Sequence, residues 1–167
     1  MSGDTRVRIR LAAVQARSRP GDVDANLEHA GQLVERAAAQ GAGLVMLPEL
    51  FSCGYVPNRA VWDYAEPPGG PVSQWLAATA GRLGVYLGVG GAETDGTDFF
   101  NVFILAGPDG QIAGRAYKTN AEASVFRRGR NEHVIVTPAG RIGIGICADN
   151  QFSAQLRLMR DQHADVI

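Results

Sequence analysis

Residues 41–49 read G-A-G-L-V-M-L-P-E, a short apolar run between glycines and a proline. Continuous apolar runs of this length are typical of strands that are buried on both faces of a sheet. In the preceding segment, residues 26–40, apolar side chains recur at steps of three and four, which predicts a helix capped at Asp24. A helix followed by a doubly buried strand indicates an α/β protein.

The same patterns assign the rest of the chain. A second helix is predicted at residues 71–83, a third at 153–162, and a loop-rich segment at 51–70. Turns at G-P-D-G and T-P-A-G predict two hairpins. Strands are predicted at residues 8–13, 85–89, 99–105, 112–117, 134–136, 141–146 and 164–167. This order predicts mixed sheets covered by helices in a single domain over residues 1–167.

Composition excludes several classes of protein. The 167 residues are 46% hydrophobic and 20% charged, as in an ordinary globular domain. The 16 basic and 17 acidic side chains leave a net charge of −1, which argues against binding to nucleic acid or to acidic membranes through bulk charge. No apolar run approaches the ~18 residues of a membrane helix, and no secretory signal is visible. Two cysteines are too few for a disulfide scaffold, so we expect a cytoplasmic protein.

Three polar residues, Glu49, Lys118 and Cys147, each follow a predicted strand. Functional groups gather beyond strand ends in open α/β sheets. Cys147 lies just before a predicted helix, whose N-terminus would lower the thiol pKa below ~8.5 and favour a nucleophile. The alternative is a buried structural cysteine. Glu49 is either a general base or a solvent-facing carboxylate, and Lys118 either stabilises an oxyanion or is a solvated lysine.

Metal and nucleotide sites are not predicted. The three histidines, His29, His133 and His163, are interpreted as surface or packing residues, and with the two cysteines they show no metal-ligand spacing. Glycines at 88–91 and 140–145 do not have the G-x-G-x-x-G spacing. A nucleotide-binding α/β domain is therefore the weakest alternative.

Three motifs taken in order carry a resemblance to a known family. They are L-P-E-L-F-S-C-G-Y at residues 47–55, Y-K-T-N at 117–120 and R-I-G-I-G-I-C-A-D-N at 141–150. Together they resemble the nitrilase superfamily of carbon–nitrogen hydrolases. The segments R-L-A-A-V-Q, N-V-F-I-L-A-G-P-D-G-Q-I-A-G-R-A-Y-K and H-A-D-V-I look like the strands that frame those motifs, so the resemblance covers essentially the whole chain.

The resemblance implies an αββα sandwich and a Glu–Lys–Cys triad. It makes Glu49 the general base, Lys118 the stabiliser of the tetrahedral intermediate and Cys147 the nucleophile. The backbone N–H of Ala148 would help to hold the oxyanion, and Glu122 looks like the family's second glutamate. The implied reaction is cofactor-independent hydrolysis of an amide, an N-carbamoyl compound or a nitrile, with an amidase preferred. No metal is implied, and a homodimer is the default assembly.

Two departures from the family pattern affect these expectations. Asn120 stands where many members have histidine, which leaves the substrate class open. Family domains also continue well past the nucleophile helix, so the chain is interpreted as truncated at its C-terminus. Open sheet edges would then make the chain marginally stable or dependent on association. A second hypothesis is accordingly a catalytically silent remnant that serves as a binding or assembly module.

Overall fold

The structure is a computed structural model that describes residues 9–56, 58–129 and 133–167. Short 3₁₀ helices lie at Arg59–Tyr64 and Cys147–Gln151. Among the described residues, none of the helices combines the length and apolarity needed to cross a membrane. The helices are α1 Val23–Ala39, α2 Pro71–Leu83 and α3 Ser153–Asp161, and the strands are β1 Leu11–Ala13, β2 Leu44–Met46, β3 Tyr86–Thr94, β4 Phe99–Ala106, β5 Ile112–Tyr117, β6 Val134–Thr137 and β7 Gly140–Gly143.

The strands form two sheets. The first has the order β1-β2-β3-β4-β5, in which β1 to β3 are parallel and β3 to β5 are antiparallel. The second consists of β6 and β7, which pair antiparallel with Ile135 opposite Ile142. The predicted mixed pairing and both predicted hairpins are therefore confirmed.

The elements form four layers in the order helix, sheet, sheet and helix, because each face of the first sheet is covered. One face packs against α1 and α2 and buries Val45 and Leu47 of the apolar run. The other face packs against the second sheet and buries Leu44, so the run is covered on both faces. Beyond the second sheet, α3 buries Met159 against β7. Apolar area on both sheet faces is thus removed from water.

Several predicted boundaries are wrong. Helix α1 begins at Val23, because the carboxylate of Asp22, and not that of Asp24, accepts the Ala25 N–H at 3.3 Å. Strand β3 extends five residues past 89, to Thr94, because β4 pairs with it along that whole length. Residue 8 of the predicted first strand lies outside the described residues.

Tertiary contacts also override three predictions. The predicted loop contains the 3₁₀ helix Arg59–Tyr64, in which Trp62 stacks on Phe99 with ring centroids 4.5 Å apart. The predicted strand at 141–146 ends at Gly143, and the predicted strand at 164–167 is reduced to one parallel bridge between Val166 and Ile142.

Gly90 allows the turn after β2 to rest directly on β3. A Cβ atom at Gly90 would lie 2.5 Å from the nitrogen of Leu50 and 2.6 Å from the Cα of Glu49. Leu50 itself has a left-handed backbone, with φ of 50°, which is uncommon for a non-glycine residue. This close approach sets the position of Glu49 just beyond the C-terminal end of β2.

Candidate active site

Asn101 and Lys118 are neighbours on the first sheet. Val102 pairs with Tyr117, and the N–H of Lys118 donates to the carbonyl of Asn101 at 2.8 Å. Because directly opposite residues of an antiparallel pair point to the same face, both side chains lie on the face that meets the second sheet. Phe103 lies on that face as well and is part of the core between the sheets.

Glu49 and Glu122 meet the ammonium group of Lys118. The Oε1 atom of Glu49 accepts hydrogen bonds from Lys118 Nζ at 2.8 Å and from Asn101 Nδ2 at 2.7 Å. Glu122 Oε1 lies 3.1 Å from the same ammonium. The side chains of Lys118, Glu49 and Glu122 are 1%, 18% and 37% exposed. The structure therefore brings together three of the residues singled out in the sequence.

Lys118 remains an ammonium in this setting. Burial lowers its pKa, but hydrogen bonds and charge from Glu49 and Glu122 outweigh that effect, and the pKa is raised. A permanent positive charge therefore lies between two carboxylates at the bottom of the site.

Cys147 approaches Glu49 from the side of the second sheet. It is exposed, and its backbone is left-handed with φ of 47°. Backbone strain of this kind is concentrated at functional sites, where surrounding contacts maintain it. A cleft of about 470 Å³ runs between the sheets and is lined by Glu49, Gly90 and Cys147, among others.

The predicted lowering of the thiol pKa is wrong. Partial burial and the carboxylate of Glu49 raise the pKa of Cys147, whereas Lys118 and the Ala148 N–H act in the opposite direction without reversing the shift. The helix dipole on which that prediction relied is also missing. Cys147 begins a 3₁₀ helix of five residues, and α3 starts only at Ser153, so no long helix dipole points at the sulfur.

Asp149 joins the cysteine turn to the lysine turn. Its carboxylate is fully buried and accepts the N–H groups of Ile146 at 3.3 Å, Thr119 at 3.3 Å and Asn120 at 2.8 Å. The Asn120 side-chain amide donates to it as well, at 3.0 Å. The position at which the sequence departs from the family pattern therefore contacts Asp149 through both backbone and side chain.

Sequence reasoning missed Asn101 and Asp149. A signal for Asn101 was present, since it alternates with Phe103 and Leu105 on an otherwise apolar strand face, and a buried polar residue is more informative than a buried apolar one. For Asp149 the signal was its place two residues after Cys147. His133, interpreted as a surface or packing residue, is buried and lies 2.8 Å from Thr119 Oγ1.

The two cysteines differ sharply. Cys53 is buried in a loop, and burial raises its pKa to about 11. Both are free thiols. The interpretation of Cys147 as a buried structural cysteine is therefore wrong, whereas it applies to Cys53.

We expect iodoacetamide to label Cys147 before Cys53, because Cys147 is the exposed thiol. Since Glu49 raises the thiol pKa, Glu49→Gln is expected to speed labelling of Cys147 at pH 8 by about threefold, allowing for the lower nucleophilicity of a less basic thiolate. Peptide mass spectrometry measures both rates, and Cys53→Ala is the control. Equal labelling of the two cysteines would contradict an exposed Cys147 and a buried Cys53.

Metal ligands are not clustered in this part of the protein. Within residues 9–56, 58–129 and 133–167, no group of three His, Cys, Asp or Glu side chains lies close enough together to hold a metal ion.

Sequence comparison places the chain among known proteins. The sequence model of the carbon-nitrogen hydrolase family matches residues 10–167. The chain is 34% identical over 160 residues to the omega-amidase NIT2 of Danio rerio, a match that covers 87% of this chain and 57% of that protein. It is 33% identical over 166 residues to a nitrilase of Pyrococcus abyssi, covering 95% of this chain and 63% of that protein.

Solved structures have the same fold. An amidase from Nesterenkonia sp. superposes with a TM-score of 0.87 at 24% identity, over 96% of this chain and 64% of that one. Saccharomyces cerevisiae Nit3, a member of branch 10 of the nitrilase superfamily, gives a TM-score of 0.83 at 27% identity, over 93% and 61% of the two chains. The expected nitrilase-like αββα sandwich is confirmed, and the chain spans 57% to 64% of the lengths of these four proteins. From this match of profile, sequence and fold, the chain belongs to the carbon-nitrogen hydrolase family.

Proposed function

We propose that this chain carries the catalytic groups of a cofactor-independent hydrolase that cleaves non-peptide C–N bonds through a cysteine thioester. The observation that carries the proposal is the convergence of Glu49, Lys118 and Cys147, which come from separate strands and two different sheets. We propose further that residues 1–167 belong to a single hydrolase domain.

In the first half of the reaction with an amide or an N-carbamoyl compound, the sulfur of Cys147 bonds to the carbonyl carbon of the substrate. Glu49 takes the thiol proton as the bond forms and then passes it to the leaving nitrogen. Lys118 and the N–H of Ala148 stabilise the negative charge that develops on the substrate heteroatom, an effect worth about 3 kcal/mol for each well-placed donor. Ammonia or an amine leaves, and an acyl thioester on Cys147 remains. A nitrile would form a thioimidate first and would take up a water molecule before ammonia leaves.

In the second half, water attacks the thioester. Glu49 takes a proton from that water, and the C–S bond then breaks, so the acid is released and the thiol of Cys147 is restored. Glu122 supports this cycle by accepting a further hydrogen bond from Lys118, at 3.1 Å. Protein groups and water account for every proton and every bond in this sequence.

A small amide is the preferred substrate class, ahead of N-carbamoyl compounds and nitriles. Support comes from the omega-amidases of Danio rerio and Mus musculus, which are 34% and 32% identical to this chain. The nitrilase of Pyrococcus abyssi is similarly close at 33%, so the panel used to test the proposal includes nitriles.

The test measures ammonia release and the intact mass of the protein after mixing with short amides, N-carbamoyl compounds and nitriles. We expect one class to release ammonia and to leave an acyl adduct on Cys147. Cys147→Ala should lower ammonia release by at least about a thousandfold, and Cys53→Ala is the matched control that keeps it. Unmodified Cys147 with no ammonia from any class would overturn the proposal in favour of the binding or assembly module.

A homodimer is also proposed. Apolar side chains of the second sheet and of the segment that follows it are exposed to solvent: Val136, Phe152, Leu156, Leu158 and Ile167. Exposed apolar groups of this kind support association with another surface. Light scattering after size-exclusion chromatography would give twice the 17.7 kDa chain mass for a dimer, and a stable monomer would contradict it.

A further inference from the structure

We propose that Asn101 is a positioning residue for Glu49: its amide, together with Lys118, occupies one carboxylate oxygen, so that the other oxygen turns to the thiol of Cys147. The inference rests on the proposed function, because it concerns how the general base of that reaction is oriented. It assigns to Asn101 a role that its place in a β-strand does not reveal.

Two hydrogen bonds orient the carboxylate of Glu49. Oε1 accepts two donors, Asn101 Nδ2 at 2.7 Å and Lys118 Nζ at 2.8 Å. Two strong donors on one oxygen fix the plane of the carboxylate and direct Oε2 away from them. Glu49 and Cys147 line the same cleft. Oε2 is therefore the oxygen left to exchange a proton with the sulfur.

The side-chain amide of Asn101 is held in one of its two possible orientations. Asn101 is 1% exposed, and its Oδ1 has no hydrogen-bond donor among the described residues. Rotating the amide by half a turn would place Oδ1 against the Glu49 carboxylate, where two acceptors repel each other. Buried side-chain oxygens rarely lack a donor, so an asparagine held in this orientation indicates a role beyond packing.

A third observation links the same residue to the lysine. The backbone carbonyl of Asn101 accepts the N–H of Lys118 at 2.8 Å. One residue therefore holds the base through its side chain and the start of the lysine turn through its backbone.

The experiment is a double-mutant cycle read by iodoacetamide labelling of Cys147 from about pH 6 to about pH 10, a range that brackets thiol ionisation. Asn101→Leu removes the amide at nearly constant shape. Without it the carboxylate is free to rotate off the thiol, so labelling at pH 8 should rise about twofold, towards the rate of Glu49→Gln. In the Glu49→Gln background, Asn101→Leu should change nothing.

A merely structural role would give a different result. Asn26, another buried asparagine, bonds Arg19 and Ser52 but none of the site residues, so Asn26→Ala is the matched control for general loosening. If Asn101→Leu changed labelling equally with and without Glu49, the inference would be overturned. Asn101→Ala provides a second variant should the leucine fail to fold.

Formation of the acyl adduct separates this inference from the proposed function. We expect Asn101→Leu to slow acylation of Cys147 by about tenfold, and again to have no further effect in Glu49→Gln, as for residues that act as a unit. If no variant forms an adduct, the proposed function fails, while the labelling cycle still decides the role of Asn101. If adducts form and the two substitutions act additively, only the inference on Asn101 fails.

Discussion

Lys118→Met is expected to lower turnover by at least about a hundredfold and to lower the free energy of unfolding by about 3 kcal/mol. The ammonium is 1% exposed and lies between Glu49 and Glu122. Without it, the carboxylates of Glu49 and Glu122, which are 18% and 37% exposed, lie close together and repel each other. The developing charge on the substrate also loses its cation, which should reduce turnover by at least about a hundredfold.

Urea unfolding and ammonia release measure these two effects separately. In the double variant Lys118→Met/Glu122→Gln, an uncharged amide replaces one of the two carboxylates. Its stability should therefore be higher than that of Lys118→Met, while its activity should stay as low. Equal stability of Lys118→Met and the unmodified chain would show that the buried ion pair is absent in solution.

The pH dependence of stability follows from the same lysine. In the folded protein, burial lowers the pKa of Lys118, but its two carboxylate partners raise the pKa by more. The net result is a raised pKa. Its stabilising contribution is therefore fully present below about pH 10 and is lost as the pH rises through the higher folded-state value.

Asp149→Ala is expected to cost about 3 kcal/mol of stability and to loosen the cysteine turn. The carboxylate is completely buried and serves the N–H groups of Ile146, Thr119 and Asn120. Alanine would leave these donors without a partner, and each unsatisfied buried group costs about 1–3 kcal/mol before relaxation. Cys147 should then lose its left-handed backbone and with it any acylation.

Circular dichroism melts and acyl-adduct formation test this expectation. Asp149→Asn keeps the shape and one acceptor oxygen, so it should fall between alanine and the unmodified chain. Asp161→Ala is the matched control, because Asp161 is an exposed aspartate at the end of α3 that bonds only Arg160 among the described residues. A stable, acylating Asp149→Ala would refute the bracing role.

Local pattern explains why so much of the fold was predictable. The apolar run at 44–47 has side chains that need cover on both faces, and the structure supplies helices on one side and a second sheet on the other. The two hairpins were equally predictable, because their turns contain glycine and proline at the positions that turns require. Boundaries were less so, since Thr94 continues β3 only because a partner strand extends alongside it.

In the candidate site, too, some features follow from the sequence and others only from the tertiary structure. Sequence by itself determined the chemical types of Glu49, Lys118 and Cys147 and their places within a few residues after a strand, since these depend on local periodicity and on ordered motifs. Tertiary structure alone decided that Asn101 and Lys118 share one oxygen of Glu49 and that Asp149 joins two distant turns. It also decided the sign of the thiol pKa shift, because charge and burial at Cys147 come from residues distant in the chain, and Coulomb interactions depend on separation in space.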